Sequence, residues 1–256
     1  MGQLGLLGIA AVFGLVVGSF LNVLIHRLPR GASPVRPRSV CPWCGGVIRA
    51  ADNVPLLSYL LLRGRCRRCG APISWRYPFV EALTALLFAG CVARFELTVT
   101  AAVGALFCAL MVALALIDVE HFLLPDALTM PGIVAGLVLQ PFLPATTFLD
   151  AALGALCGAG VLILIINFWF WMRSEEGMGL GDVNMLALIG AFLGWQGAAV
   201  ALIGSALLGA LIGVALMAGG RMGLKSRLPF GVFLAAAGVF ALFAGAELVA
   251  LYLDLL

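Results

Sequence analysis

Apolar residues run along this chain in long blocks rather than in the alternation of a strand or the one-sided stripe of a surface helix. Residues 4–25 form the first block, long enough to cross a bilayer as a helix. Seven more follow, at about 79–95, 98–117, 127–143, 149–171, 183–195, 198–218 and 230–252. The block at 183–195 is the shortest, well under the ~20 residues of a perpendicular span. The pattern predicts an all-α polytopic membrane protein of about eight transmembrane helices. Its one polar stretch, residues 26–78, is too short for a large core of its own. The predicted organisation is a first helix at 1–25, a small polar domain at 26–78, and a seven-helix membrane domain at 79–256.

Composition agrees. Apolar residues make up 63% of the 256 and charged residues only 11%, against about a quarter charged in soluble domains. Such a chain lacks the polar residues to cover a water-facing surface. The net charge of +3 says little, but ten of the fifteen Lys and Arg lie between Arg27 and Arg76. Basic residues follow the first block rather than precede it, which argues against a cleaved signal peptide. By the positive-inside rule the first helix ends in the cytoplasm. Threading eight spans from that start puts 26–78, 118–126, 172–182 and 219–229 inside. Of the fifteen basic residues only Arg94 then falls outside.

The polar stretch holds two CxxC pairs, CPWCG at 41–45 and CRRCG at 66–70, with 21 residues between Cys44 and Cys66. Two such turns bring four thiolates to the corners of a tetrahedron. Cys41, Cys44, Cys66 and Cys69 are therefore expected to bind a structural Zn²⁺ that folds the domain. A redox pair fits two matched motifs less well. Cys91, Cys108 and Cys157, alone in apolar runs, read as small core residues.

Acids near a membrane are costly and usually have a reason. Asp118 ends the third span in ALIDVEHFLLPD, and Asp182 begins the sixth in GMGLGDVNML, 64 residues later. The threading puts both at the cytoplasmic edge. Two neighbouring carboxylates that share a proton can activate water and protonate a leaving amine, as in an aspartyl protease. Gly179 and Gly181 would let backbone and substrate approach Asp182. Taken singly each aspartate reads as a helix cap, and only together, in the GxGD context, do they point to catalysis; Asp126, after Pro125, reads as a cap. Glu120, Glu175 and Glu176 add to an acidic rim, with Arg173 the one opposing base, that suits a basic substrate segment. His121 follows Asp118 by three residues, but neither it nor His26 belongs to a metal cluster. Nucleotide-binding glycine loops, serine triads and zincin motifs are missing from the sequence.

Several motifs in one order resemble the bacterial prepilin peptidases, the type IV leader peptidases with GxGD aspartyl chemistry. They are GSFLNVLIHRLP at 18–29, CPWCG, DNVPLLSYLLLRGRC at 52–66, CRRCG, ISWRYPFVEALTA at 73–85, IDVEHFLLPD, GMGLGD and LPFGVFLA. The resemblance implies catalytic aspartates at Asp118 and Asp182, with Gly179, Gly181 and Asp126 in supporting positions. It also implies cleavage of prepilin or pseudopilin precursors, of type IV pili or type II secretion, after a short basic leader ending in glycine. Members with the cysteine tetrad often also methylate the new N-terminal amine with S-adenosylmethionine, for which no residue stands out as a binding site. The expected surroundings are the inner-membrane bilayer and the precursor, with no nucleic-acid partner; oligomeric state is unread. One departure is Asn184, where the family commonly has lysine. Competing readings are a presenilin-like protease, a proton-coupled transporter using the paired aspartates, and an assembly subunit with inert carboxylates.

Overall fold

In hydrocarbon every backbone N–H and C=O needs a partner within the protein, so uninterrupted apolar runs can satisfy themselves only as helices. The computed structural model describes residues 2–36, 38–143, 146–173, 179–220 and 228–255, and is helical nearly throughout. Its helices are α1 (Gln3–Arg27), α2 (Leu57–Leu61), α3 (Arg76–Phe95), α4 (Val99–His121), α5 (Asp126–Leu139), α6 (Phe148–Arg173), α7 (Leu180–Ala218) and α8 (Phe230–Asp254). Among the described residues six helices are long and apolar enough to cross a membrane: α1, α3, α4, α6, α7 and α8. With a short 3-10 turn, α5 forms a further apolar stretch, Asp126–Phe142. The protein is thus a multi-pass membrane protein.

The blocks at 183–195 and 198–218 form one helical stretch, α7, broken at Gly194, where φ is 71° and ψ is −178°. The chain reverses there. The first limb runs antiparallel to α6, with Leu186 against Gly158 and Gly190 against Gly154. The second runs antiparallel to α8, with Gly204 against Ala237 and Gly209 against Phe233. Both the start of the first limb and the later part of the second therefore lie toward the N-terminal end of α8. Two spans remain, joined by a turn rather than a polar loop. The first limb, about 21 Å long at 1.5 Å per residue, is too short to face lipid across a whole bilayer. It is instead buried almost throughout. A Cβ on Gly190 would lie 2.2 Å from the Gly154 carbonyl oxygen, so α6 and α7 touch backbone to backbone.

Two compact units divide the chain, Met1–Ala113 and Leu114–Leu256. In the first, α1 packs on α3, with Gly18 over the Glu81 backbone and Asn22 Nδ2 donating to the Tyr77 carbonyl at 3.1 Å. Residues 28–75 join these helices through two cysteine loops and α2. In the second unit α7 is central, flanked by α5, α6 and α8, with α5 and α6 packed on its first limb. Cys91 and Cys108 are buried with Sγ atoms 3.9 Å apart. Cys157 corrects the core reading of the lone cysteines: it is exposed on α6, where lipid rather than protein supplies its apolar surroundings.

Candidate active site and metal centre

Asp118 lies in the last turn of α4 and Asp182 in the first turn of α7, both buried. Within the second unit they lie close enough for their charges to interact. Neither is a helix cap. Gly179 takes the N-cap position of α7, and the Asp182 N–H donates to its carbonyl at 3.2 Å. Asp118 does not reach out to solvent. The backbone N–H groups of Gly231 and Val232, at the start of α8, approach its carboxyl group. Its Oδ2 is buried with no hydrogen-bond partner among the described residues. The positive end of the α8 dipole therefore meets a carboxyl oxygen left open for further bonding.

Leu124 holds this arrangement together. A Cβ on Gly181 would lie 2.8 Å from the Leu124 Cβ, and one on Gly231 3.2 Å from its Cδ1. The buried leucine thus wedges the chain after Asp118 against the starts of both α7 and α8. Among the described residues only the Gly181 nitrogen, at 3.9 Å, lies near the position of a Cβ added to Gly179.

Asp126 differs from its reading as a cap. It is the first residue of α5, and Pro125 holds the cap position without a side-chain bond. Its Oδ1 instead accepts a hydrogen bond from Asn184 Nδ2 at 2.9 Å. Asn184, where a family lysine was expected, ties the start of α5 to the turn carrying Asp182. His121 Nε2 stands 3.9 Å from Glu120 Oε2. Glu175 and Glu176, and the side chain of Arg173, lie outside the described residues, so the acidic rim has no structural account. Sequence reasoning passed over Gly231 and Leu124. The only signal was that each sits in a motif already quoted, LPFGVFLA and IDVEHFLLPD.

In the first unit the two CxxC segments fold alike. The Cys41 N–H donates to the Gly46 carbonyl and the Gly45 N–H to that of Cys41; Cys66 pairs with Ala71 and Gly70 with Cys66 in the same way, all at 2.8 to 2.9 Å. Gly45 and Gly70 take the left-handed conformation each turn requires, at φ 64° and 73°. The four sulfurs of Cys41, Cys44, Cys66 and Cys69 lie within 4.8 Å of one another, a donor set able to hold a metal ion. Backbone N–H groups of Cys69 and Arg68 hold the Cys66 thiol down to about 7. The Ala71 N–H favours a Cys69 thiolate, but desolvation and the sulfurs of Cys66, Cys44 and Cys41 push that thiol up to about 11. One sulfur is thus readied as a thiolate while its neighbour keeps its proton, a conflict a cation would relieve.

Paired buried carboxylates at helix ends in the second unit and a four-cysteine cluster in the first mark a polytopic membrane protein with a candidate hydrolytic site and a candidate metal centre. Comparison with known proteins narrows this. Residues 12–95 match the bacterial peptidase A24 N-terminal domain, and residues 105–214 match the type IV leader peptidase family. A Burkholderia pseudomallei (strain 1026b) protein is 40% identical over 93% of this chain and 85% of its own length. One from Pseudomonas aeruginosa is 39% identical over 95% of this chain and 92% of its own length. One from Myxococcus xanthus is 45% identical over 84% of this chain and 65% of its own length. Each bears the name prepilin leader peptidase/N-methyltransferase. No solved structure matches. The chain belongs to the type IV leader peptidase family.

Proposed function

We propose that this protein cleaves the leaders of type IV prepilins or pseudopilins at the cytoplasmic face of the bacterial inner membrane, with Asp118 and Asp182 as the catalytic pair. The observation that carries this reading is the convergence of two buried carboxylates, 64 residues apart in sequence, in one turn each of α4 and α7. One carboxylate takes a proton from water, whose oxygen adds to the scissile carbonyl. The other, protonated, gives its proton to the departing amine as the C–N bond breaks. The arrangement of basic residues supports the orientation, with the basic stretch 27–76 on the cytoplasmic side. A proton-coupled transporter finds no support: its rival's name runs through relatives along nearly the whole chain.

The four cysteines suit Zn²⁺, held by all four thiolates in a closed site that folds residues 40–72 and leaves no position for substrate. The relatives' names also support N-methylation of the new amine, with S-adenosylmethionine as the donor. A groove of about 450 Å³ in the first unit is lined by Ser19 and Asn53 among apolar residues, with no carboxylate for a sulfonium among its lining residues.

The test uses purified full-length protein and a pilin-precursor substrate followed by mass spectrometry. The parent should cut between the leader glycine and the apolar stem, while folded Asp118→Asn and Asp182→Asn variants should not. Cleavage by both variants at the parent's rate would overturn the assignment. A mass gain of one methyl with S-adenosylmethionine would establish the second activity.

A further inference from the structure

The run 54–62, VPLLSYLLL, carries no charge between Asp52 and Arg63. It belongs to neither cysteine loop and plays no part in the proposed cleavage. In a water-facing domain its leucines would turn inward. Instead Leu57, Leu60 and Leu61 on α2 are 53%, 71% and 73% exposed.

Its depth explains this. The Leu56 N–H donates to Glu81 Oε2 at 2.8 Å. Glu81 lies five residues inside α3, about 7.5 Å along the helix from Arg76 at 1.5 Å per residue. Asn53, Val54 and Pro55 line the groove of about 450 Å³ with Val16, Ser19, Phe20 and Val23 of α1. Ser19 lies eight residues, about 12 Å, inside the Arg27 end of α1. Both α1 and α3 are long and apolar enough to cross the membrane. The bend at 53–56 therefore packs about 7.5 to 12 Å inside the ends of two apolar helices, at 1.5 Å per residue.

Irregular backbone at that depth must be satisfied by protein, and here it is. Glu81 accepts the Leu56 N–H, and both the N–H and the hydroxyl of Ser58 donate to the Val54 carbonyl at 3.0 and 2.6 Å. The Leu60 N–H reaches the Leu56 carbonyl at 3.0 Å. Leu56 holds a φ of 56° with ψ −48°, a positive-φ conformation that leucine rarely adopts. This gives the buried Glu81 carboxylate a use that the peptidase chemistry does not. Around the run the surface is basic. Residues 27–76 carry ten arginines and one acid, Asp52, which Arg67 pairs with at 2.8 Å. Arg49, Arg63 and Arg65 are exposed.

We propose that residues 54–62 form a re-entrant lipid-binding element. The α2 leucines lie among acyl chains, the groove beside α1 takes one acyl chain of an anionic phospholipid, and Arg49, Arg63 and Arg65 face the headgroups. The proposal is independent of the catalytic assignment.

The experiment uses the full chain in nanodiscs of phosphatidylcholine and phosphatidylglycerol, with photoreactive benzoylphenylalanine placed singly at Leu60, Leu61 or Leu164. Leu164, exposed in the middle of α6, serves as the lipid-facing reference. Variants are compared only where gel filtration matches the parent. Phospholipid adducts at Leu60 and Leu61 in yields comparable to Leu164 are expected, enriched in phosphatidylglycerol. Arg63→Gln with Arg65→Gln should remove the enrichment and leave the total. Cross-links from both positions to protein, or no adduct while Leu164 reacts, would overturn the proposal.

Discussion

Gly231 leaves empty the space its side chain would fill beside Asp118: a Cβ there would lie 2.8 Å from Oδ2 and 3.2 Å from Cγ. Gly231→Ala must push the carboxyl group or the start of α8 aside. Displacements near 1 Å at a reacting group cost on the order of 100-fold in rate, and a fall of that size in precursor cleavage is expected. Gly160→Ala, with no atom within 4 Å of the added methyl, is the matched control and should cleave at the parent's rate. Full activity in Gly231→Ala would show that Asp118 does not act from this position.

Asn184 and Asp126 should behave as a positioning pair. The single bond between their side chains is worth about 1 kcal/mol. Asn184→Ala and Asp126→Ala should each slow cleavage far less than loss of Asp118 or Asp182. A double-mutant cycle on cleavage rate should return a coupling near 1 kcal/mol. Additive effects would mean that the hydrogen bond does not hold the α7 turn in place.

The reversal in α7 rests on a conformation that is essentially restricted to glycine, with φ 71° and ψ −178°. Gly194→Ala should cost about 1–3 kcal/mol. Thermal unfolding in detergent should shift down accordingly, while the same exchange at Gly160 should not lower it. An unchanged midpoint would place the turn elsewhere.

The cysteine cluster should bind one zinc per chain by elemental analysis, falling to a small fraction in Cys41→Ser or Cys69→Ser. Metal removal should open the loops that the two CxxC turns close. Trypsin would then cut among Arg38, Arg49, Arg63 and Arg65 faster than in the metal-loaded protein. Equal digestion with and without chelator would refute a folding role for the metal.

Much of this architecture can be read from sequence because hydrocarbon leaves the chain few choices. Blocks of apolar residues become helices, and the ends of α1, α6 and α8 fall within two residues of where the blocks end. The turn in α7 is harder to see, since FLGWQG is apolar with no charged linker and only the glycine marks it. Asp118 and Asp182 stand out as charges at the ends of spans. Gly231 and Leu124 do not, because their roles depend on which helices approach which, and spacing along the chain holds no record of that. Glu81 was hidden in the same way: its partner, the Leu56 N–H, is a backbone group 25 residues earlier. Asp126 looked like a cap because Pro125 precedes it, yet tertiary contact with Asn184 took its side chain instead.

Asp118 arrives on α4 and Asp182 on α7, but the N–H groups that approach Asp118 come from α8, which leaves the ribosome after both. A nascent chain ending before Phe230 already carries both aspartates without the third wall of their site. On the proposed mechanism, synthesis itself acts as a safety catch: a half-made protease in a crowded membrane stays inert until α8 has been inserted.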